Sequence, residues 1–77
     1  MTLQEIKSRV EAILASATPC LVFSSFFHAH GVVVEWVKAE EEATWDGRKP
    51  GVYLSTEFSD EELEHRLEGL RLVSIRK

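Results

Sequence analysis

The sequence predicts an α+β domain: a two-layer α/β sandwich of order α-β-β-β-α-β, with two helices packed on one face of a small, mainly antiparallel sheet. Three observations point there. Two segments open with capping-box spacing and continue with apolar residues at helical intervals. Two runs of β-branched and aromatic residues flank a short polar turn. A strand-like and a helix-like segment then precede an alternating C-terminal stretch, leaving room for a crossover.

The first helix is placed at about residues 3 to 17. Thr2-Leu3-Gln4-Glu5 has capping-box spacing, and Leu3, Ile6, Val10, Ile13, Leu14 and Ala17 share a stripe ~100° wide. Pro19 disfavours the helical region at Thr18 and ends the element.

Strands are expected from Cys20 to Phe27 and from Val32 to Val37, joined by a four-residue loop, His28-Ala29-His30-Gly31. If Phe27 pairs with Val32, Phe23 lies opposite Trp36, and Leu21, Phe23, Phe27, Val32, Val34 and Trp36 share one face. A one-residue slip would set Glu35 against Phe23, so the first register is preferred. The second face then holds Cys20, Val22, Ser24, Phe26, Val33, Glu35 and Val37. Its apolar members need a further cover, and a second subunit is one candidate.

Residues 38 to 51 form a polar excursion with turn signals at Asp46-Gly47 and Pro50-Gly51. A connection of this length in a small domain is often functional. Val52 to Ser55 reads as a third strand. Phe58-Ser59-Asp60-Glu61-Glu62-Leu63 then gives a capped helix start, with Phe58 stapling onto Leu63. Leu63, Leu67 and Leu70 form the buried side, and Gly69 is read as a left-handed stop. Arg71 to Arg76 alternates and is read as a fourth strand.

At 77 residues, with 44% hydrophobic and 29% charged, the chain is expected to be a single domain over residues 1 to 77, and its composition excludes disordered and low-complexity classes. A domain of this size hides only roughly 60% of its unfolded surface, so support from a second chain is favoured. One cysteine, Cys20, cannot form an internal disulfide, which suggests a reducing, cytoplasmic setting. Glu11 and Ser16 interrupt the N-terminal apolar stretch, so neither a signal peptide nor a membrane segment is expected. The net charge of −4 opposes nucleic acid and anionic lipid at long range and favours a basic partner.

Catalytic chemistry has little support. His28 and His30 have a ligand-like spacing, but zinc needs three or four ligands. Cys20 is separated from His28 by eight residues of strand, roughly 26 Å. The same distance denies Cys20 these histidines as a base, and the thiol is expected to be buried. Glu40-Glu41-Glu42 and Asp60-Glu61-Glu62 are accounted for by solvation and by the helix dipole. No glycine-rich phosphate loop, metalloprotease pair or serine elbow is present. No cofactor or metal is expected, and a metal-dependent enzyme using the His28/His30 loop ranks third among the readings.

The second reading is a nucleic-acid-binding module. Lys38, Arg48, Lys49, Arg71, Arg76 and Lys77 would gather near one edge with Trp45 or Tyr53, using the basic C-terminal strand. Val52-Tyr53-Leu54-Ser55 followed by Phe58-Ser59-Asp60-Glu61-Glu62-Leu63 resembles the opening strand and helix of an RNA-recognition motif. The resemblance covers under a quarter of the chain, and the aromatic strand such domains use for base stacking is replaced by Arg71-Leu72-Val73-Ser74-Ile75-Arg76.

The first reading is a small, acidic, non-catalytic protein-interaction module that inhibits or modulates a larger protein, of the immunity or phage and plasmid type. Its partner would present a basic surface, and the apolar second face would form a homodimer or dock that partner. Trp36 is expected in the core. Trp45 lies in a charged loop, either as an exposed anchor or as a cover for the core edge. The expected contact residues are Glu40, Glu41, Glu42, Trp45 and Asp46 in the loop and Glu61, Glu64 and Glu68 on the second helix.

Overall fold

The computed structural model describes residues 1–76. Helix α1 (Leu3–Leu14) begins at Thr2, whose hydroxyl accepts from the Glu5 amide at 3.2 Å while Glu5 accepts from the Thr2 amide, a complete capping box. Its last residue is Leu14, three residues earlier than the sequence reading, and Ala15 is the C-cap. Beyond Leu14 only the small Ala17 continues the apolar stripe, and the chain turns through an Ala17 amide to Leu14 carbonyl bond.

Strands β1 (Leu21–His28), β2 (Gly31–Lys38) and β3 (Gly51–Ser55) form one antiparallel sheet of order β1-β2-β3. The expected register holds: Phe27 pairs with Val32 and Phe23 with Trp36. The loop is shorter than expected, because His28 and Gly31 pair and leave only Ala29 and His30 between the strands. Ala29 provides the turn with a φ of +52°. Gly31 is buried, and a Cβ there would meet the Leu54 carbonyl and come within 2.8 Å of the Tyr53 ring. β2 thus sits between two neighbours with no room for a side chain at this position.

Between β2 and β3, a short 3₁₀ helix (Ala39–Thr44) precedes an irregular segment that carries Trp45. The last helix, α2 (Asp60–Ser74), is capped by Ser59, whose hydroxyl accepts from the Glu62 amide at 3.1 Å. Glu62 does not close a capping box. Its carboxylate accepts instead from Arg66 Nε at 2.7 Å.

The predicted fourth strand is absent. Arg71 to Ser74 continue α2, Ile75 and Arg76 are irregular, and Lys77 lies outside the described residues. Gly69 is an interior helical position with negative φ and does not stop the helix. The reason is packing: Leu63, Leu67, Leu70 and Ser74 recur at i, i+4, i+7 and i+11, and all four are buried. Each buried leucine contributes about 1.5–3 kcal/mol, more than the ~1 kcal/mol that glycine costs. Ser74 fits the core because its hydroxyl donates to the Arg71 carbonyl at 2.7 Å, and its own carbonyl accepts from Thr18. The architecture is therefore α+β, with a purely antiparallel sheet and no parallel crossover.

Both helices cover the same sheet face. Ile6 and Val10 of α1, Val32 and Val34 of β2, Leu54 of β3, and Leu63, Leu67 and Leu70 of α2 make one core, with Phe23, Trp36 and Phe58 packed around it. Trp36 takes its expected place, its ring centroid 6.0 Å from that of Phe23. Arg9 joins the helices through a two-pronged pair with Glu64 at 2.6 and 3.2 Å.

Candidate functional site

The opposite sheet face carries no helix. Pairing sets Val22, Ser24 and Phe26 on β1, Val33, Glu35 and Val37 on β2, and Gly51 and Tyr53 on β3 toward it. Val37 is buried beside the 3₁₀ segment, whereas Val22 and Phe26 remain 37% and 47% exposed. The chain covers one end of this face and leaves the rest open, as the need for a further cover implies. Cys20 is exposed, contrary to the buried thiol expected, because it precedes an edge strand at the margin of this open face.

Trp45 stands at the end of the sheet with 37% of its surface exposed. Two open clefts meet at its ring. One of about 630 Å³ is bordered by Cys20, Trp36, Val37, Glu40, Glu41 and Val73. The other, about 620 Å³, lies over the open face and is bordered by His28, Val33, Glu35, Arg48, Lys49 and Tyr53. Trp45 is thus neither wholly a core cover nor a free anchor. It lines both clefts and keeps an accessible surface.

Tyr53, expected only as one of two aromatics beside the basic edge, lines the second cleft. Its ring stands edge-on to Phe58 at 5.9 Å and to His28 at 6.2 Å, and its hydroxyl donates to the His28 carbonyl at 3.3 Å. Only the β2–β3 register, with Val33 opposite Tyr53, turns it to the open face.

The predicted contact residues do not form one surface. Glu40 and Glu41 border the first cleft with Trp45, and Glu42 and Asp46 are exposed in the same segment. Glu61, Glu64 and Glu68 lie on α2, within the layer that covers the other side of the sheet. Two of these three acids are neutralised internally. The Arg9 guanidinium donates to Glu64 and holds its carboxyl below the ordinary value, and Arg71 does the same to Glu68 at 2.6 Å.

The predicted basic edge is also divided. Arg48 and Lys49 border the second cleft and Lys38 and Arg76 the first, while Arg71 is paired on α2. His28 and His30 are both exposed at the hairpin. Among the described residues, no cluster of three or more His, Cys, Asp or Glu side chains is placed to hold a metal ion. No helix in them is long and apolar enough to cross a membrane. Comparison of the chain with family models, with curated proteins and with solved structures found no match.

Proposed function

We propose that this chain is a non-catalytic protein-interaction module that docks a partner on its open sheet face, with Trp45 as the anchor, and so inhibits or modulates a larger protein. The observation that carries the reading is the accessible Trp45 ring between two clefts, at the margin of the sheet face that carries the exposed Val22 and Phe26 and the half-buried Val33 and Tyr53. Aromatic anchors within an apolar patch and a charged rim are the usual carriers of interface energy. The rim has both signs: Glu40, Glu41, Glu42 and Asp46 surround Trp45, with Arg48 and Lys49 on the side of the second cleft. With a net charge of −4, a basic partner is favoured on approach.

The test is capture of partners from a lysate of the native host, with and without nuclease, by the wild-type chain and by Trp45→Ala. One stoichiometric protein that survives nuclease and is lost with Trp45→Ala supports the reading. Recovery of nucleic acid alone would overturn it and assign the Trp45, Tyr53, Arg48 and Lys49 surface to base stacking and phosphate contact.

A further inference from the structure

The two edges of the sheet are treated differently by the chain. On β3 two of the three outward-facing carbonyls are occupied: Tyr53 accepts from Arg66 at 3.3 Å and Ser55 accepts from the Phe58 amide at 3.1 Å. The Arg66 guanidinium also lies 4.6 Å over the Phe58 ring, which covers the Tyr53–Ser55 end of that edge. On β1 a cation also lies over a ring, Lys7 Nζ 4.6 Å from the Phe27 centroid, but among the described residues no side chain or loop bonds to the outward backbone groups. In a hairpin with a two-residue loop, His28 and Gly31 form the closing hydrogen-bonded pair, so the even-numbered residues of β1 bond to β2. The Ala39 amide to Cys20 carbonyl bond, 3.0 Å, continues the same pattern. The N–H and C=O groups of Leu21, Phe23, Ser25 and Phe27 therefore point away from the sheet, and among the described residues no hydrogen bond reaches them.

The strand also lacks the features that usually blunt an edge. It runs Leu-Val-Phe-Ser-Ser-Phe-Phe-His over eight residues, with no Lys, Asp, Glu or Pro and no bulge against β2. Phe26 is 47% and Phe27 56% exposed.

The geometry points to a second copy of this chain as the occupant: β1 pairs antiparallel with β1 of the copy about a twofold axis at Ser24, making one six-stranded sheet. The outward residues 21, 23, 25 and 27 are symmetric about position 24. Leu21 then meets Phe27 of the copy and Phe23 meets Ser25, so all four residues enter hydrogen-bonded pairs. On the open face, Val22 meets Phe26 and Ser24 meets Ser24. Centring on Ser25 instead would leave Leu21 unpaired. Charge agrees, because β1 carries no charged side chain and the two charges beside its edge, Lys7 and Glu11, pair with each other at 3.9 Å. The aromatic side chains supply about a third of the area a stable dimer needs. At roughly 200 Å² per aromatic side chain, the exposed parts of Phe26 and Phe27 in two copies contribute about 400 Å². Two paired strands ~27 Å long add to this, toward the ~1,200 Å² at which stable interfaces begin. The edge shares Val22 and Phe26 with the docking face but lies apart from Trp45, so Ser25→Pro reports on self-association and Trp45→Ala on partner capture, and either assignment can fail alone.

The experiment combines sedimentation with directed cross-linking. The wild-type chain should sediment at twice the monomer mass. In a Cys20→Ser background, Ser24→Cys should give a disulfide-linked dimer on mild oxidation, since a non-hydrogen-bonded antiparallel pair sets the Cα atoms ~4.5 Å apart, within disulfide range. Ser25→Cys should not, because the two positions would lie ~9 Å apart, offset by two residues along the strand. Ser25→Pro removes an outward N–H without touching the β1–β2 bonds and should halve the mass while the circular dichroism spectrum is kept. A monomeric wild-type chain, a link at position 25 in place of 24, or a folded Ser25→Pro that stays dimeric would each overturn the assignment.

Discussion

Replacement of Gly69 by alanine separates two descriptions of the C-terminal third by the sign of its effect. In the structure Gly69 is an interior residue of α2, exposed, with negative φ. An ideal Cβ built there meets no heavy atom within 4 Å. Alanine would thus lose nothing to steric conflict and would gain the helix-propensity difference, about 0.8–1.0 kcal/mol. In a domain of this size that raises the melting temperature by about 4–8 °C. Were Gly69 the left-handed stop of a shorter helix, alanine would carry a cost of about 1–2 kcal/mol and the melting temperature would fall. Thermal and urea unfolding followed at 222 nm, at one fixed protein concentration, measures the difference. An unchanged urea dependence would show that the surface exposed on unfolding is the same. A fall in stability, or no change, would refute the continuous helix.

Further consequences are open to the same measurements. Ala29 holds a φ of +52°, so Ala29→Gly should stabilise by about 0.5–1 kcal/mol, and a loss would mean that the turn does not need the left-handed position. Leu67 is buried between the helices and the sheet, and Leu67→Ala should cost about 2–5 kcal/mol in urea unfolding; under 1 kcal/mol would contradict its burial. Arg9 lowers the Glu64 carboxyl by hydrogen bonding, so its folded value lies below the unfolded one of about 4.3. The stabilisation is complete above that value and is lost as pH falls through the folded one. The gap between wild type and Arg9→Ala should therefore shrink below about pH 4, and a gap unchanged down to pH 3 would exclude this linkage.

The elements were legible wherever a pattern was redundant. The β1–β2 register could be read because only one parity keeps Glu35 away from Phe23, and the pairing of Phe23 with Trp36 follows from it. The two N-caps were legible because Thr2 and Ser59 each stand three residues before a glutamate, Glu5 and Glu62. The end of α2 was not. Its fourth buried position is Ser74, a polar residue whose place in the core depends on a bond to the Arg71 carbonyl that no composition rule anticipates. With Ser74 read as polar, the alternation of Leu72, Val73 and Ile75 imitated a strand, and Gly69 looked like its boundary. The hairpin was misjudged for a similar reason, since an alanine in a left-handed turn leaves no mark in the sequence. Trp45 could be singled out by its charged surroundings, whereas Tyr53 could be named only as an aromatic near the basic edge. Which face Tyr53 takes depends on how β3 docks after a long irregular connection, a tertiary property.

The exposed surface follows from the size of the chain. Two helices, each ~10 Å across, suffice to cover most of one face of three strands spaced ~4.8 Å apart, and α1 and α2 do so except at the edge, where Phe27 stays 56% exposed. The remaining residues are spent on the margins: the 3₁₀ segment and Trp45 at the Val37 end, Phe58 and Arg66 along β3. What stays uncovered is continuous, running from the β1 edge at Phe26 across Val22 and Val33 toward Tyr53 and Trp45. Pairing of two β1 strands about Ser24 would join two such surfaces on the same side of one sheet, because a twofold axis normal to the sheet preserves its faces. The antiparallel arrangement would set the two Trp45 rings at opposite ends of that sheet. Self-association would then leave each anchor free for a partner, and the Val22 and Phe26 side chains, which belong to both surfaces, would be the place where the two kinds of contact influence one another.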